Sequence, residues 1–518
     1  MSAAMRVRLR RHLAHLLAAL PIACLAQKSL AQESPAPIVA TAHGPLQGRL
    51  AGDISVFQGI PFAAPPVGAN RWREPQPVVK WSAVRRADAA GPSCMQKAGV
   101  SLENGGVPGK LDEDCLYLNV FRPSARPGAR LPVMVWIHGG ALIGGGGALP
   151  IYDGSAFARR GIVVVTLNYR LGPFGFFSHP ALERESTGGA MNFGLLDQIA
   201  ALRWVQTNIA AFGGDAAQVT IAGQSAGAQS VLALMASPMT RGLFSAAIAQ
   251  SAYGIPSHTR LKATETGLAI ASAMGQPGSR ASAAALRRIP AQRLADLPQK
   301  YSLAPSLIVG DQAVPMPLLD AFKQGREHAV PLIIGSNSDD ASVMEAFGVD
   351  PAALVQKLGR AGILARSLYP GVSDPGQLGR VLARDALFTA YGRRIAYLHS
   401  AKAPTWRYYF TYTGDAAGTG VGHGVEIPFA LGTIEQCRCL GRSATPRDLR
   451  VEQRTGERWA AFVRTGTPSG SVAWPQDHRR RSEILDIGEV DTARSRFMAA
   501  RINTLITALN VAGRAGGK

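Results

Sequence analysis

The chain has 518 residues, 47% hydrophobic and 17% charged, with 57 glycines and 34 prolines. Such a composition supplies a large buried core and excludes a disordered or fibrous chain. A formal charge of +20 favours anionic surfaces or ligands, but the densest basic run, His478-Arg479-Arg480-Arg481, has no interleaved aromatics and no nucleic-acid motif. It is read as a solvated loop, and no nucleic-acid partner is expected.

At the N-terminus, Arg6, Arg8, Arg10 and Arg11 precede the apolar stretch LAHLLAALPIACLA, and small residues lead to Ala31. The pattern predicts a signal peptide over residues 1–31 and export to the periplasm or beyond, because the stretch is short for a membrane span. Arg10-Arg11 points toward a twin-arginine route, while Pro21 and Ile22 argue against lipid attachment at Cys24. Cleavage would remove five basic residues and leave +15. No later segment reaches 18 uninterrupted apolar residues, so no membrane-spanning segment is expected after cleavage.

Four cysteines would remain. Cys94 and Cys115 enclose a loop rich in glycine and polar residues, which export would allow to close as a disulfide. Cys437 and Cys439 are separated only by Arg438, so a local bridge and two thiols are both open readings. No Cys/His spacing suggests zinc, and no metal or cofactor is expected.

Apolar β-rich runs then alternate with helical patterns. PVMVWIHGG (132–140) and GIVVVTLNYR (161–170) read as buried strands, and 192–214 reads as a helix ended by Gly213-Gly214. QVTIAG (218–223) is a strand, AGAQSVLALMAS (226–237) a helix, and VPLIIGSN (330–337) and TWRYYFTYT (405–413) further strands. Between about 260 and 400 the pattern is mostly helical with proline breaks, as expected of insertions over an active site. The fold class is α/β: a large, mostly parallel sheet covered on both faces, in one elaborated domain over 32–518.

The chemistry sits between these elements. Gly223-Gln224-Ser225-Ala226-Gly227 joins a strand to a helix, the setting in which a serine hydroxyl projects above a sheet as a nucleophile. Alone, the pentapeptide could equally be a glycine turn. A serine needs a base, and a histidine base needs a carboxylate. His423 lies in a glycine-flanked loop after the 405–413 strand, and Asp339 and Asp340 follow the 330–337 strand. Ser225, Asp340, His423 is the Ser–acid–His order of α/β-hydrolases. The glycines of IHGGA (137–141) can present successive N–H groups to a developing oxyanion.

With these in hand, the chain from about 36 to about 475 resembles the type-B carboxylesterases, whose relatives include the cholinesterases. GIPFAAPPVGANRW, EDCLYLNV, WIHGGA, NYRLGPFGF, NFGLLDQ, GQSAGA, HGVEIPF and WPQ match its successive signatures. The resemblance implies an α/β-hydrolase fold and cleavage of small-molecule carboxylic esters through an acyl-enzyme. Ser225 would be the nucleophile, His423 the base, Asp340 the acid, and the N–H groups of Gly140, Ala141 and Ala226 the oxyanion hole. Cys94 and Cys115 fall where the family closes its first disulfide loop.

Three departures stand out. The family's acid is usually glutamate, so Asp339 competes with Asp340 for the role. Gln224 replaces a usual glutamate. The 95–114 loop has no aromatic residue, whereas cholinesterases place a choline-stacking tryptophan there. Neutral or anionic esters are therefore expected to be favoured over choline esters. The rival readings are a catalytically silent binding protein on this fold and an acyltransferase or amidase with the same triad.

Overall fold

Strands buried along their whole length, such as Val163–Leu167 and Thr405–Phe410, need cover on both faces, and the structure supplies it. The computed structural model describes residues 36–515 except 99–108, 125–127, 187, 360, 415–419 and 480. The predicted signal peptide with Cys24, the middle of the 95–114 loop and Arg480 lie outside the described residues. Residues 36–518 form one unit by contact.

Among the described residues eleven strands build the main sheet: β1 (Arg49–Ala51), β2 (Ile54–Pro61), β3 (Tyr117–Pro123), β4 (Leu131–Ile137), β5 (Val163–Leu167), β6 (Gly214–Gln224), β7 (Ala246–Gln250), β8 (Leu332–Asn337), β9 (Thr405–Phe410), β10 (Ile484–Ile487) and β11 (Thr492–Arg494). Their order is β1-β2-β3-β5-β4-β6-β7-β8-β9-β10-β11. From β5 across to β10 every pairing is parallel, while β1–β3 and β11 add antiparallel edges. The chain crosses from β5 to β6 on the far side of β4, so β4 marks a switch in strand order. Crevices past the carboxyl ends of strands open at such a point.

Alternation along β4 divides the core. Val133, Val135 and Ile137 pack on one side, with helices α1 (Phe193–Asn208) and α2 (Ala226–Ala236). Met134 and Trp136 pack on the other, with α3 (Pro446–Thr465). The sequence places Pro446 in the first turn of α3, a Thr445/Asp448 capping box before it, and Gly466 in the left-handed region (φ 71°) after it. The helix expected over 192–214 stops at Asn208. A 3₁₀ turn and Gly213 (φ 78°) complete it, and Gly214 already belongs to β6.

The 260–400 region contains β8 and helices including Arg260–Ala273, Pro351–Lys357, Pro375–Ala383 and Ala390–His399. A π-helical turn, Arg384–Thr389, joins the last two. No described helix is long and apolar enough to cross a membrane. No group of three or more potential metal ligands occurs among the described residues.

Candidate active site

β6 ends at Gln224 and α2 begins at Ala226, so Ser225 alone makes the turn, at φ 56° and ψ −122°. A non-glycine residue held there stores roughly 1–3 kcal/mol of strain, and its surroundings must impose it. They do. The Ser225 N–H donates to the Gln250 carbonyl at the end of β7 (2.8 Å), and the Ser225 carbonyl accepts from the Gln229 N–H (2.9 Å). Helix α2 approaches β4 closely enough that a Cβ on Gly227 would lie 2.1 Å from the Ile137 carbonyl oxygen. Only glycine fits at that position.

The acid and the base arrive from the ends of β8 and β9. Asp340 is fully buried; its Oδ1 lies 2.8 Å from His423 Nδ1, and its Oδ2 accepts the Asn337 N–H at 2.7 Å. The neighbouring Asp339 points elsewhere and is gripped by the Arg380 guanidinium through Nε and Nη2. Four further hydrogen bonds, each 2.8 Å, join the two loops. Asp339 N–H donates to the Val421 carbonyl, Val421 N–H to Ser338 Oγ, His423 N–H to Ser342 Oγ, and Asn337 Nδ2 to the Gly422 carbonyl.

The glycine loop after β4 is held as firmly. Gly140 (φ 87°) sits where a Cβ would meet the Gly144 carbonyl oxygen at 2.1 Å, and Ala141 is also left-handed (φ 55°). His138 is buried and stacks on Tyr169 with ring centroids 4.4 Å apart. Burial pulls its pKa down to about 4, so the ring is neutral, with Nδ1 2.9 Å from the Gly139 carbonyl. Gln96 grips Gly145 at both its N–H (2.9 Å) and its carbonyl (2.8 Å). Ala226 opens α2, so its N–H is among those without an intrahelical acceptor.

Gly140, Ala141, Ser225 and His423 all line one cavity of about 400 Å³. Its walls are apolar, with Ile255, Val343, Met344, Phe347, Leu387 and Phe388 prominent. Among the described residues no aspartate, glutamate, lysine or arginine lines it. The structure thus brings Ser225, His423, Asp340, Gly140, Ala141 and Ala226 to one place and turns Asp339 away.

The sequence profile described as "Carboxylesterase family" matches residues 35–362 and 378–504. The chain belongs to the carboxylesterase family. Among curated relatives, the fumonisin B1 esterase of Sphingopyxis macrogoltabida is 34% identical over 475 residues, covering 88% of this chain and 87% of that protein. The para-nitrobenzyl esterase of Bacillus subtilis (strain 168) is 35% identical over 469 residues, covering 86% and 94%. Among solved structures, a PNB esterase superposes with a TM-score of 0.81 at 32% identity, over 91% of this chain and 99% of its own. The α/β-hydrolase fold and carboxylic ester hydrolysis follow from this membership.

This carboxylesterase also carries polar groups that sequence reasoning missed. Glu426 is fully buried, and Asn337 Nδ2 donates to its Oε2 (2.5 Å) while Gln250 Nε2 reaches its Oε1 (3.3 Å). Burial, with the negative charge of Asp340 second, pushes its pKa up to about 7. Glu426 lies three residues after His423 in the HGVEIPF signature, and that spacing was the available signal. Gln96, two residues past Cys94, and His138 gave none: Gln96 grips the remote backbone of Gly145, and His138 stacks on Tyr169, 31 residues away. Gln224 is buried with its Nε2 3.2 Å from His423 Nε2. Phe388, from the π-helical turn, packs against the His423 ring (centroids 5.3 Å apart). Cys94 is bridged to Cys115, and the open choice at Cys437 and Cys439 resolves as a second bridge.

Proposed function

We propose that this ester hydrolase acts through an acyl-enzyme, with Ser225 as nucleophile, His423 as general base and acid, and Asp340 as the orienting carboxylate. The observation that carries the reading is the 2.8 Å contact of Asp340 with His423 beside a strained serine elbow, all opening on one apolar cavity. His423 Nε2 takes the Ser225 hydroxyl proton as Oγ bonds to the ester carbonyl carbon. The N–H groups of Gly140, Ala141 and Ala226 receive the negative oxygen of the tetrahedral intermediate; each such donor is typically worth about 3–4 kcal/mol. The ester C–O bond then breaks, and the alcohol leaves with the proton held by His423. Water repeats the sequence on the acyl-enzyme, releasing the acid and restoring Ser225.

The cavity supports neutral, apolar esters. Among the described residues its lining has no carboxylate to attract a choline headgroup, and no lysine or arginine to attract an anionic one. The proposal on this lining is the narrower one of neutral esters. A neighbouring cavity of about 330 Å³ shares Gln299, Ala346 and Phe347 with the first, giving room for acyl and alcohol parts on separate sides. We place the mature protein, residues 32–518, outside the cytoplasm, on the strength of the leader pattern.

Ser225→Ala is the test. It should lower kcat about 10⁶-fold while far-UV circular dichroism stays unchanged, and an organophosphate should label the Ser225 peptide of the wild type only. A variant with a tenth of wild-type activity would remove Ser225 from the mechanism.

A further inference from the structure

A third cavity, of about 320 Å³, shares no lining residue with the catalytic one. Four arginines line it: Arg393, Arg394, Arg479 and Arg496. Among the described residues no acidic one does. The guanidinium groups of Arg393 and Arg479 both lie against the ring of Tyr397, 5.7 and 5.3 Å from its centroid, which fixes their position. Arg393 is almost fully buried, and burial pulls the pKa of half-buried Arg394 below its usual value. Arg496 is brought to the rim by a turn in which both it and Met498 are left-handed, at φ 55° and 48°.

Asp320, which acts on Arg394 electrostatically, is paired with Lys323 at 2.8 Å, and the other nearby acids offset the arginines only in part. Asp477 Oδ2 accepts from both Arg393 (2.9 Å) and Arg407 (2.6 Å), so one carboxylate serves two buried guanidinium groups. Glu483 accepts from Ser495 Oγ at 3.2 Å. Arg394 donates to the amide oxygen of Asn510, and Arg479 to the Tyr397 carbonyl; neither acceptor is charged. Cationic charge is therefore concentrated in a concave site and incompletely balanced. Guanidinium forks match the oxygens of phosphate-type anions in number and geometry.

We propose that this cavity binds a phosphate-bearing ligand, as a free phosphorylated small molecule or as a lipid headgroup. From the basic run at 478–481 the site takes Arg479. It stands apart from ester hydrolysis and does not depend on the mechanism proposed for Ser225.

The experiment uses the whole mature protein and inorganic pyrophosphate as probe, at constant ionic strength set with sodium chloride. Binding is read by equilibrium dialysis and by the rise in unfolding temperature. Arg479→Gln/Arg496→Gln changes two exposed side chains and should fold; Arg203→Gln/Arg241→Gln is a control of equal net charge on exposed arginines elsewhere. Pyrophosphate should bind the wild type and the control alike and the site variant at least tenfold more weakly, with hydrolysis of a p-nitrophenyl ester unchanged in all three. Parallel sedimentation with phosphatidic acid vesicles, against phosphatidylcholine vesicles, distinguishes the sources. Vesicle capture lost only in the site variant assigns a headgroup, and pyrophosphate binding without capture assigns a free phosphate. Equal losses in control and site variant, or no binding of either probe beyond the chloride background, would overturn the proposal.

Discussion

The carboxylate of Asp340 meets His423 and the Asn337 backbone, whereas the carboxylate one position earlier is closed by Arg380. Asp340→Asn should therefore cost about 10³–10⁴ in kcat, because the amide favours the wrong imidazole tautomer. Asp339→Asn should leave kcat nearly intact and cost on the order of 1–2 kcal/mol of stability through the weakened Arg380 pair. Steady-state kinetics beside urea denaturation separates the two, and a reversed pattern would exchange their roles. Gln224 invites the opposite change. Its amide lies beside His423 Nε2, so Gln224→Glu adds a negative charge within reach of the substrate. A unit charge about 6 Å from a cationic headgroup is worth ~3 kcal/mol at an effective dielectric of ~20, before screening. The ratio of kcat/KM for a choline ester over its tert-butyl isostere should rise in the variant; an unchanged ratio would make Gln224 a structural isostere.

At the scale of elements, the loop closed by Cys94 and Cys115 bears on the glycine loop after β4. Gln96 lies just inside the disulfide and holds Gly145 by two hydrogen bonds. Opening the loop costs roughly 3 kcal/mol in the chain-entropy account for about 20 enclosed residues. Cys94→Ala/Cys115→Ala should lose about that much stability in urea melts, and kcat should fall with it as the oxyanion-binding backbone loosens. A variant unchanged in both measurements would detach the loop from the site. The central strands and the serine elbow were legible in the sequence because burial on both faces and tight glycine contacts leave strong local patterns. The edge strands β1 and β11 were not: each has three residues, and an antiparallel neighbour rather than its own pattern defines it. The choice of Asp340 over Asp339 came from the resemblance and not from the local pattern, for a related reason. Both lie where β8 gives way to a 3₁₀ turn, and only the position of Arg380 decides which faces His423.

For the whole molecule, the buried carboxyl of Glu426 makes stability depend on pH. Its pKa is raised from 4.5 to about 7 in the folded protein. Below about pH 4.5 the group is protonated in both states, and its contribution to stability is fully present. As pH rises toward about 7 the unfolded chain releases the proton first, and that contribution is lost. Chemical denaturation across this window should show the wild type losing stability with rising pH relative to Glu426→Gln, which keeps an acceptor for Asn337. Parallel curves for the two proteins would place the proton elsewhere. Nothing in the composition pointed to this group, since its shift arises from burial and from the charge of Asp340, 86 residues earlier in the chain.

The hydrogen bonds that join residues 337–342 to residues 421–423 also set when the molecule becomes an enzyme. Each closes a span of more than eighty residues, and none can form until β8 and β9 lie side by side. Loop closure on that scale carries an entropic cost that local helix formation does not. During refolding, helical signal should return well ahead of esterase activity. Activity then reports the arrival of two distant segments at one another, a late event in the life of a newly made chain.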